Sequence, residues 1–400
     1  MTASRPATLA IDGGTPVRAT FLPYAHQQIS DEDVAAVVAA LRSDWLTTGP
    51  RVPAFEEGLA AAGGARHAVA FSSGTAALHG AVAVAGLGAG DEAITTPMTF
   101  VATANAALYL GAEVRFADIR PDTLLIDPDA VGAALGERTR AILPVDYAGH
   151  PADYDALRGV AARAPGRPPT IIADASHSLG ATRDGRRVGA LADMTVLSLH
   201  PAKILTTGEG GAVLTDDDDV AARLRRFRNH GIGTELAART DWTYAMVELG
   251  YNYRLTDIGA ALGSSQLTRL DTFLERRRAL AARYRSRLAG HPALDLPTVE
   301  PGVEPAWHFC FAQLHLSRLT VDRGGFYRAL RAEGIGVNVH YIPVHRHPFY
   351  QARYPGLALP VSEAAYERLL TLPLHAGMTV DDVDDVADAV EKVTDAYRAD

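Results

Sequence analysis

The sequence predicts an α/β fold with a largely parallel central sheet, because strand-like and helix-like segments alternate over its first half. Seven short apolar runs have strand length, and several carry β-branched residues on both faces, as strands buried on two sides do. The runs are HAVAF (67–71), EAITT (92–96), EVRFAD (113–118), AILPVDY (141–147), TIIAD (170–174), TVLSL (195–199) and GAVLT (211–215). Ala-rich helical stretches such as 75–87 and 103–111 separate them. Ligands of such sheets bind beyond the carboxyl ends of the strands.

The rest of the chain predicts a second domain. Residues 31–42 form a predicted helix with Ser30 as its N-cap, and an Arg-rich amphipathic helix covers 270–290. After it come the apolar runs 311–316 and 336–342 and helices near 322–333, 361–370 and 380–398. The sequence thus predicts a large α/β domain over residues 1–270, including the N-terminal segment, and a small α+β domain over residues 271–400.

Composition limits the classes of function. The chain of 400 residues is 48% hydrophobic with a net charge of −9, which suits about two globular domains and disfavours nucleic acid or an anionic membrane as partner. The N-terminus lacks the apolar stretch of a signal peptide, and no apolar run reaches the ~18 residues of a membrane span. The single cysteine, Cys310, suits a reducing compartment, so we expect a cytoplasmic protein.

Lysine is nearly absent from the chain. Of 38 lysine and arginine residues, only two are lysines, Lys203 and Lys392. Lys203 lies in the apolar stretch SLHPAKILTTGEGGAVLT (198–215), whereas Lys392 lies on a polar helix and is interpreted as a chance survivor. An amine condenses with aldehydes and loses its proton when desolvated, and a guanidinium does neither in practice. The retained lysine therefore indicates amine chemistry at position 203, with a second chance survivor as the alternative.

Polar residues follow two of the predicted strands. Ser73, Gly74 and Thr75 form a turn from the first strand into a helix, where free N–H groups and the helix dipole attract a phosphate. An ordinary N-cap is the alternative. Asp174 ends the fifth run, where a carboxylate is costly to bury without a cation or donors, and His177 lies three residues further on. A turn-capping aspartate and a structural histidine are the alternatives here.

An anion-binding turn, a carboxylate and a reactive lysine at one edge of a sheet match the functional groups of pyridoxal 5'-phosphate (PLP). The cofactor carries a phosphate, a ring nitrogen that a carboxylate keeps protonated, and an aldehyde that condenses with lysine. An aromatic side chain should cover one face of its ring. Phe100, just after the second run, is the candidate, with a core residue as the alternative.

Six motifs resemble those of the DegT/DnrJ/EryC1/StrS family of sugar aminotransferases, and the resemblance extends from about residue 20 to the end. The motifs are SSGTAAL, TPMTFVATANA, ADASHSLGA, SLHPAKILTTGEGGAVLT, RNHGI and LGYNYRLTDIGAALGSSQL. The resemblance implies the fold type I architecture of PLP-dependent transferases, which is aspartate aminotransferase-like, and the transfer of an amino group to a sugar.

Four segments are most similar to the PseC type within this family, the UDP-4-amino-4,6-dideoxy-N-acetyl-β-L-altrosamine transaminases. They are SDWLTTGPRVPAFE, LPVDYAGHPADYDAL, GYNYRLTDIGAALG and VHYIPVH. Two departures concern residues expected near the substrate, because Asp146 stands where many relatives have histidine and His150 where they have glutamine. The N-terminal LAIDGGTPVRATFLPY is more similar to members that act on antibiotic sugars and aminocyclitols. A dTDP-ketosugar or a scyllo-inosose-type cyclitol is therefore the alternative substrate.

The resemblance implies a role for each residue of the expected PLP site. Lys203 would bind the cofactor as a Schiff base and shuttle the proton, Asp174 would pair with the ring nitrogen, and His177 would lie beside the ring. Phe100 would stack on the cofactor. The implied phosphate ligands are Ser73, Gly74, Thr75 and Ser198.

The resemblance also implies a homodimer, because Asn252 of the neighbouring subunit would reach the phosphate, with Arg254 sharing the task. The residues expected to contact the substrate are Thr48, His340, Tyr341 and His345. The three histidines of HYIPVHRHPFY have no cysteine or carboxylate at ligand spacing, so we interpret this motif as a pocket wall and expect no metal.

The implied reaction is a ping-pong transfer of an amino group from L-glutamate to a nucleotide-linked 4-keto-6-deoxy sugar. Two other PLP reactions fit less well: related sugar 3-dehydratases have histidine at the position of Lys203, and a desulfurase needs a nucleophilic thiol, whereas Cys310 follows aromatic residues. A PLP-dependent regulator would need a DNA-binding segment, for which the first 30 residues are too short. A non-catalytic PLP-binding or assembly protein would not need Lys203, Asp174 and the phosphate turn together.

Overall fold

The computed structural model describes residues 8–233 and 241–399. Its strands are β1 (His67–Phe71), β2 (Glu92–Thr95), β3 (Glu113–Phe116), β4 (Thr139–Leu143), β5 (Thr170–Asp174), β6 (Thr182–Arg183), β7 (Arg186–Arg187), β8 (Met194–Ser198), β9 (Gly211–Thr215), β10 (Leu294–Asp295), β11 (Val303–Glu304), β12 (Cys310–Leu314) and β13 (Leu369–Leu372). Its helices are α1 (Asp31–Leu41), α2 (Arg51–Gly63), α3 (Gly74–Val84), α4 (Val101–Leu108), α5 (Pro128–Ala134), α6 (Tyr154–Ala161), α7 (Asp218–Phe227), α8 (Asp257–Leu267), α9 (Leu270–Arg287), α10 (Arg323–Ala332), α11 (Pro348–Arg353), α12 (Pro360–Arg368) and α13 (Val380–Tyr397).

A seven-stranded sheet forms the centre of the structure, in the order β1-β9-β8-β5-β4-β2-β3. Neighbouring strands run parallel except for β9, which is antiparallel to both β1 and β8. Each of the seven predicted runs contributes a strand to this sheet, so the predicted fold class is confirmed; residues 144–147 of the fourth run follow the end of β4. Both faces of the sheet are covered: in β1, Ala68 and Ala70 join one apolar core, whereas Val69 and Phe71 join another.

The helix α1 begins as the sequence predicts. The Ser30 side chain accepts a hydrogen bond from the N–H of Asp33, and the Asp33 carboxylate accepts one from the N–H of Ser30, which is a reciprocal capping box. Four consecutive aspartates (216–219) mark the start of α7, where the Asp217 carboxylate caps the helix by accepting from the N–H groups of Asp219 and Val220. The runs of acidic residues in both places are therefore helix starts.

The C-terminal part of the chain forms a smaller sheet, β10-β12-β13, which shares a core with α9, α10 and α13. The four helices expected after residue 270 are present as α9, α10, α12 and α13. Of the described residues 336–342, Asn338 pairs with Thr371 through an isolated bridge, and the segment otherwise runs as irregular chain. None of the described helices is long and apolar enough to cross a membrane.

The N-terminal segment packs against the C-terminal core. Leu9 and Leu22 are buried in that core, and Leu22 also pairs with Ile335 through a parallel bridge. The segment therefore contacts the C-terminal core before the chain enters α1. The division of the chain at residue 270 stays a prediction.

Lys392 fastens this N-terminal segment. Its Nζ lies 2.8 Å from the carboxylate of Glu333 and 2.8 Å from the carbonyl oxygen of Thr15. Glu333 is fully buried, and its carboxylate also accepts hydrogen bonds from the N–H groups of Ala10 and Val17. A buried carboxylate needs a compensating cation. The interpretation of Lys392 as a chance survivor is therefore wrong, because the lysine neutralises Glu333.

Replacing Lys392 by alanine should lower the free energy of unfolding by about 3 kcal/mol, because Glu333 would stay buried without its cation. Urea denaturation at neutral pH measures this loss. Arg398→Ala is the control, since it removes only an exposed ion pair with Asp395 and should cost less than ~1 kcal/mol. Equal losses in the two variants would show that the buried pair contributes no more than the surface pair.

Candidate active site

A cavity of about 410 Å³ opens where the strands of the central sheet end. Residues that follow β1, β2, β4, β5 and β8 line it, because the carboxyl ends of parallel strands meet at one edge. The structure brings ten of the residues singled out from the sequence to this cavity: Ser73, Gly74, Thr75, Phe100, Asp174, His177, Ser198, Lys203, His340 and Tyr341. The alternative interpretations gave each residue a separate structural role, such as a helix cap or a core position. They do not explain why these residues line one cavity.

The start of α3 forms a cradle for an anion at one end of the cavity. The Ser73 hydroxyl accepts from the N–H of Ala76, while the N–H groups of Gly74 and Thr75 have no acceptor within the helix. A Cβ on Gly74 would lie 3.0 Å from the Cβ of Ser198, a tight contact that favours glycine at this position. The free N–H groups and the hydroxyls of Ser73 and Ser198 can donate hydrogen bonds, and the helix dipole favours negative charge. Together they fit the phosphate of PLP.

Asp174 is the last residue of β5 and is buried at the base of the cavity. One carboxylate oxygen accepts from the Thr103 hydroxyl at 2.7 Å, and the other accepts from the N–H of Ser176 at 3.2 Å. The Thr103 hydroxyl also lies 2.8 Å from that of Thr99. These donors fix the orientation of the carboxylate, as is required of a group that pairs with a cofactor nitrogen.

Lys203 lies in the loop between β8 and β9, and hydrogen bonds within the loop stabilise its conformation. The N–H of Lys203 donates to the carbonyl of His200, and Thr207 N–H donates to the carbonyl of Leu199. Burial lowers the pKa of Lys203 to about 8, and the Asp174 carboxylate opposes this shift only in part. A substantial fraction of the amine is therefore neutral, and so nucleophilic, near neutral pH.

His177 lies between two other rings at the side of the cavity. Its ring stacks on His308 with centroids 4.5 Å apart and lies nearly parallel to Tyr341, whose hydroxyl is 3.1 Å from Nε2. Burial lowers the pKa of His177 well below its usual value, so the ring is neutral. Its Nδ1 is buried without a hydrogen-bond partner among the described residues. A bound group with a polar atom would satisfy this nitrogen.

Phe100 is exposed at the entrance of the cavity, with its ring centroid 6.3 Å from that of Tyr341. An exposed aromatic ring that lines a cavity is available to cover a planar ligand. It is not a core residue, which was the alternative for this position.

Sequence reasoning missed several residues that shape the cavity. Tyr24 and His308 line it, although one comes from the N-terminal segment and the other from the C-terminal half. No local pattern marks either residue. Thr99, which also lines the cavity, and Thr103 could have been found, because two threonines four residues apart at the start of a helix can contact each other, as their hydroxyls do here.

Four expected residues lie away from this cavity. Thr48 and Arg254 line a separate cavity of about 720 Å³, and Asn252 is exposed on the surface. The Arg254 guanidinium donates to the Asn229 side chain at 2.6 Å. His345 is buried and lies 2.8 Å from the Glu363 carboxylate, at a groove lined by the C-terminal helices. The role expected of each stays a prediction.

Asp146 and His150 do not line the cavity, in contrast to their expected place on the substrate side. Both are buried: Asp146 accepts from the hydroxyl of Ser178, next to the cavity-lining His177, whereas His150 lines a separate small cavity and its Nε2 accepts from the N–H of Glu300. Cys310 is also buried, within β12, and burial raises the pKa of its thiol to about 12. A thiol that stays protonated is a poor nucleophile, which argues against desulfurase chemistry.

The sheet order, the anion cradle and the lysine facing a carboxylate define the class of PLP-dependent transferases of fold type I. Residues 27–391 match the DegT/DnrJ/EryC1/StrS aminotransferase family, and the chain belongs to this family. The spore coat polysaccharide biosynthesis protein SpsC of Bacillus subtilis is 40% identical over 380 residues, which cover 93% of this chain and 97% of SpsC.

Two solved structures show the same fold over nearly the whole chain. Helicobacter pylori PseC, an aminotransferase involved in the biosynthesis of pseudoaminic acid, has a TM-score of 0.87 at 31% identity and covers 94% of this chain and 100% of its own. The putative sugar aminotransferase Spr1654 of Streptococcus pneumoniae, solved in PLP and PMP forms, has a TM-score of 0.88 at 30% identity and covers 94% and 99%. The chain is therefore a PLP-dependent sugar aminotransferase, which confirms the predicted family, enzyme class and cofactor.

The amine of Lys203 should titrate near pH 8 in the cofactor-free protein, well below the ~10.4 of a free lysine, because burial disfavours its charged form. Reductive methylation with ¹³C-formaldehyde gives a simple carbon spectrum, since the chain has only two lysines besides its α-amino group. Lys203→Arg identifies the resonance of Lys203. A midpoint equal to that of a free lysine would contradict the lowered pKa.

Proposed function

We propose that this sugar aminotransferase moves the amino group of L-glutamate to a nucleotide-linked 4-keto-6-deoxy sugar, as a PseC-like enzyme that aminates C4 of a UDP-sugar. The observation that carries the proposal is the convergence of Lys203, Asp174 and the anion cradle of α3 in one cavity. The choice of sugar is supported by the similarity to Helicobacter pylori PseC, an aminotransferase involved in the biosynthesis of pseudoaminic acid. A dTDP-ketosugar or an aminocyclitol ketone is the alternative substrate.

The residues of the cavity divide the work of the transfer. PLP, when bound, supplies an electron sink for the carbon that carries the amino group. The Nζ of Lys203 removes the proton from the donor carbon and later returns one to the sugar carbon, which a pKa of about 8 allows in both directions. The Asp174 carboxylate holds the proton of the ring nitrogen, and the Thr103 hydroxyl keeps that carboxylate in position.

His340 and Tyr341 are proposed to contact the sugar. Burial lowers the pKa of His340 to about 4, so the imidazole is neutral, and one of its nitrogens is already occupied by the Thr371 hydroxyl at 3.0 Å. The Tyr341 phenol stays protonated because burial raises its pKa. Neutral donors and acceptors suit the uncharged hydroxyl groups of a sugar better than full charges do.

A homodimer is proposed to complete each site. Asn252 is exposed and lies outside the cavity of its own chain, as is required of a residue that serves a neighbouring subunit. Large apolar side chains are exposed close to it in sequence, among them Trp242, Met246 and Leu249. Exposed apolar residues in such number are typical of a surface that another subunit covers.

Lys203→Arg should keep the fold and the charge but abolish transfer, because a guanidinium neither condenses with the cofactor nor exchanges protons near neutral pH. The spectrum of PLP-loaded protein after addition of L-glutamate measures the first half of the reaction. The native protein should lose its long-wave cofactor absorbance, and the variant should not. Native protein that binds PLP yet never responds to glutamate would favour the non-catalytic alternative.

Mixing two inactive variants should restore activity if Asn252 serves the neighbouring site. In a hybrid of Lys203→Arg with Asn252→Ala, one site combines both native residues and the other combines both substitutions. Random subunit exchange gives about a quarter of the native activity, since half of the dimers carry one native site of two. Each variant mixed with itself is the control. A mixture no more active than its components would place Asn252 outside the shared site.

A panel of UDP- and dTDP-linked ketosugars together with scyllo-inosose, assayed by product mass with L-glutamate, tests the substrate. The proposal expects the largest kcat/KM with a UDP-linked 4-keto-6-deoxy sugar. Turnover of the cyclitol ketone and of no nucleotide sugar would overturn the nucleotide-sugar assignment while leaving the aminotransferase class in place.

A further inference from the structure

The turn of residues 146–149, between β4 and α6, contacts loops from both halves of the chain that line the cavity. The N–H of Asp146 donates to the carbonyl of Asp174 at 3.0 Å, so the turn is joined to the end of β5. The carbonyl of Ala148 accepts from the N–H of His308 at 3.0 Å, which joins it to the loop before β12. Two segments that are far apart in the chain are thus fixed to one short turn.

Two further contacts extend this arrangement. The Tyr147 hydroxyl donates to the carbonyl of His340, on the segment that precedes Tyr341. Gly149 has a φ of +93°, and a Cβ at this position would lie 2.9 Å from the carbonyl oxygen of His177 and 2.8 Å from the N–H nitrogen of Trp307. Only glycine allows the turn to lie this close to the backbone of His177 and Trp307.

The carboxylate of Asp146 is the polar centre of the turn. It is completely buried and accepts three hydrogen bonds, from the Ser178 hydroxyl at 2.5 Å, the Tyr154 hydroxyl at 2.6 Å and the N–H of Ala152 at 2.9 Å. No cation pairs with it among the described residues. Ser178 directly follows His177, so the position of the His177 backbone depends on this carboxylate.

We infer that Asp146 is a positioning residue for His177 and, through it, for the cofactor. The inference rests on the proposed place of His177 beside the cofactor ring. An ionised carboxylate accepts all three hydrogen bonds at once, whereas a protonated one must donate in place of accepting at one oxygen. Protonation at the oxygen facing Ser178 reverses that hydrogen bond, because the carboxylic O–H would donate to the Ser178 oxygen and the Ser178 hydroxyl would turn toward the carbonyl of Ala175, now 3.4 Å away.

The surroundings of Asp146 make this switch accessible. Burial raises its pKa to about 6, the hydrogen bonds from Ser178 and Tyr154 oppose the rise, and the negative charge of Asp174 adds to it. The titratable groups that act on it are Asp174 of β5 and Tyr154 of α6, and the positive charge of Arg183 of β6 in turn lowers the pKa of Tyr154. Ionisation above about pH 6 therefore costs stability while it holds Ser178 in place.

Stability and cofactor affinity should consequently depend on pH in opposite directions. The folded protein has the raised pKa, so the contribution of protonated Asp146 to stability is complete below about pH 4 and is lost as the pH rises through 6. The affinity for PLP should instead increase over the same range as the carboxylate ionises. If Asp146 had only a structural role, stability and PLP affinity would decrease together as the pH changes.

The test measures the dissociation constant of PLP for the cofactor-free protein between pH 5 and 8, with Asp146→Asn beside the native protein. The ratio of the two constants at each pH cancels the titration of the PLP phosphate itself. We expect Asp146→Asn to bind PLP about 10-fold more weakly at pH 7.5, with the ratio approaching one near pH 5. Thermal unfolding of both cofactor-free proteins over the same pH range should show the opposite trend.

Ser178→Ala is the second variant, and it tests the positioning role of Asp146 if Asp146→Asn fails to fold. Its matched control is Ser362→Ala, because Ser362 is also fully buried and also donates to an aspartate, Asp118, away from the cavity. Ser178→Ala should weaken PLP binding at pH 7.5, and Ser362→Ala should leave it unchanged. Native affinity in Asp146→Asn at every pH, or equal losses in both serine variants, would overturn the inference. Native protein that does not bind PLP would instead refute the proposed site.

Discussion

The hydrogen bonding of Asp174 is the constraint on which the rest of the site depends. A carboxylate at the end of a strand buried on both faces is costly unless donors meet it, and the donors come from two directions. Thr103 on α4 and the N–H of Ser176 fix the side chain, while the Asp174 carbonyl accepts from the N–H of Asp146. These contacts hold the loops after β2, β4 and β5 in one arrangement. The position of His177, in the loop after β5, depends on that arrangement.

Burial determines the electrostatics of the cavity. It lowers the pKa of Lys203 to about 8 and keeps His177 and His340 neutral, so positive charge is scarce where an uncharged sugar is proposed to lie. The proposed phosphate site is different, because the helix dipole and the free N–H groups at the start of α3 attract an anion. One cavity can thus accommodate a phosphate at one end and a neutral sugar at the other.

Single buried charges attach the C-terminal half to this site. Arg277 of α9 is buried, and its guanidinium donates to the carbonyls of Trp307, His308 and Leu374. Burial lowers its pKa to about 10, yet three carbonyl dipoles stabilise the charge that remains. This arginine holds the loop that presents His308 to His177. The pair of Lys392 with Glu333 has the corresponding function for the N-terminal segment that carries Tyr24.

The sequence by itself indicated the seven strands of the central sheet, the polar turn at Ser73 to Thr75, and Lys203 and Asp174 as separate candidates for the site, because each rests on a local pattern in the chain. Apolar periodicity sets a strand, a small polar turn sets a helix start, and a rare lysine in an apolar stretch indicates amine chemistry. Only the tertiary structure decided that His308 would stack on His177 and that Asp146 would accept a hydrogen bond from the hydroxyl of Ser178. Those placements depend on packing between segments distant in the chain, which local patterns do not encode.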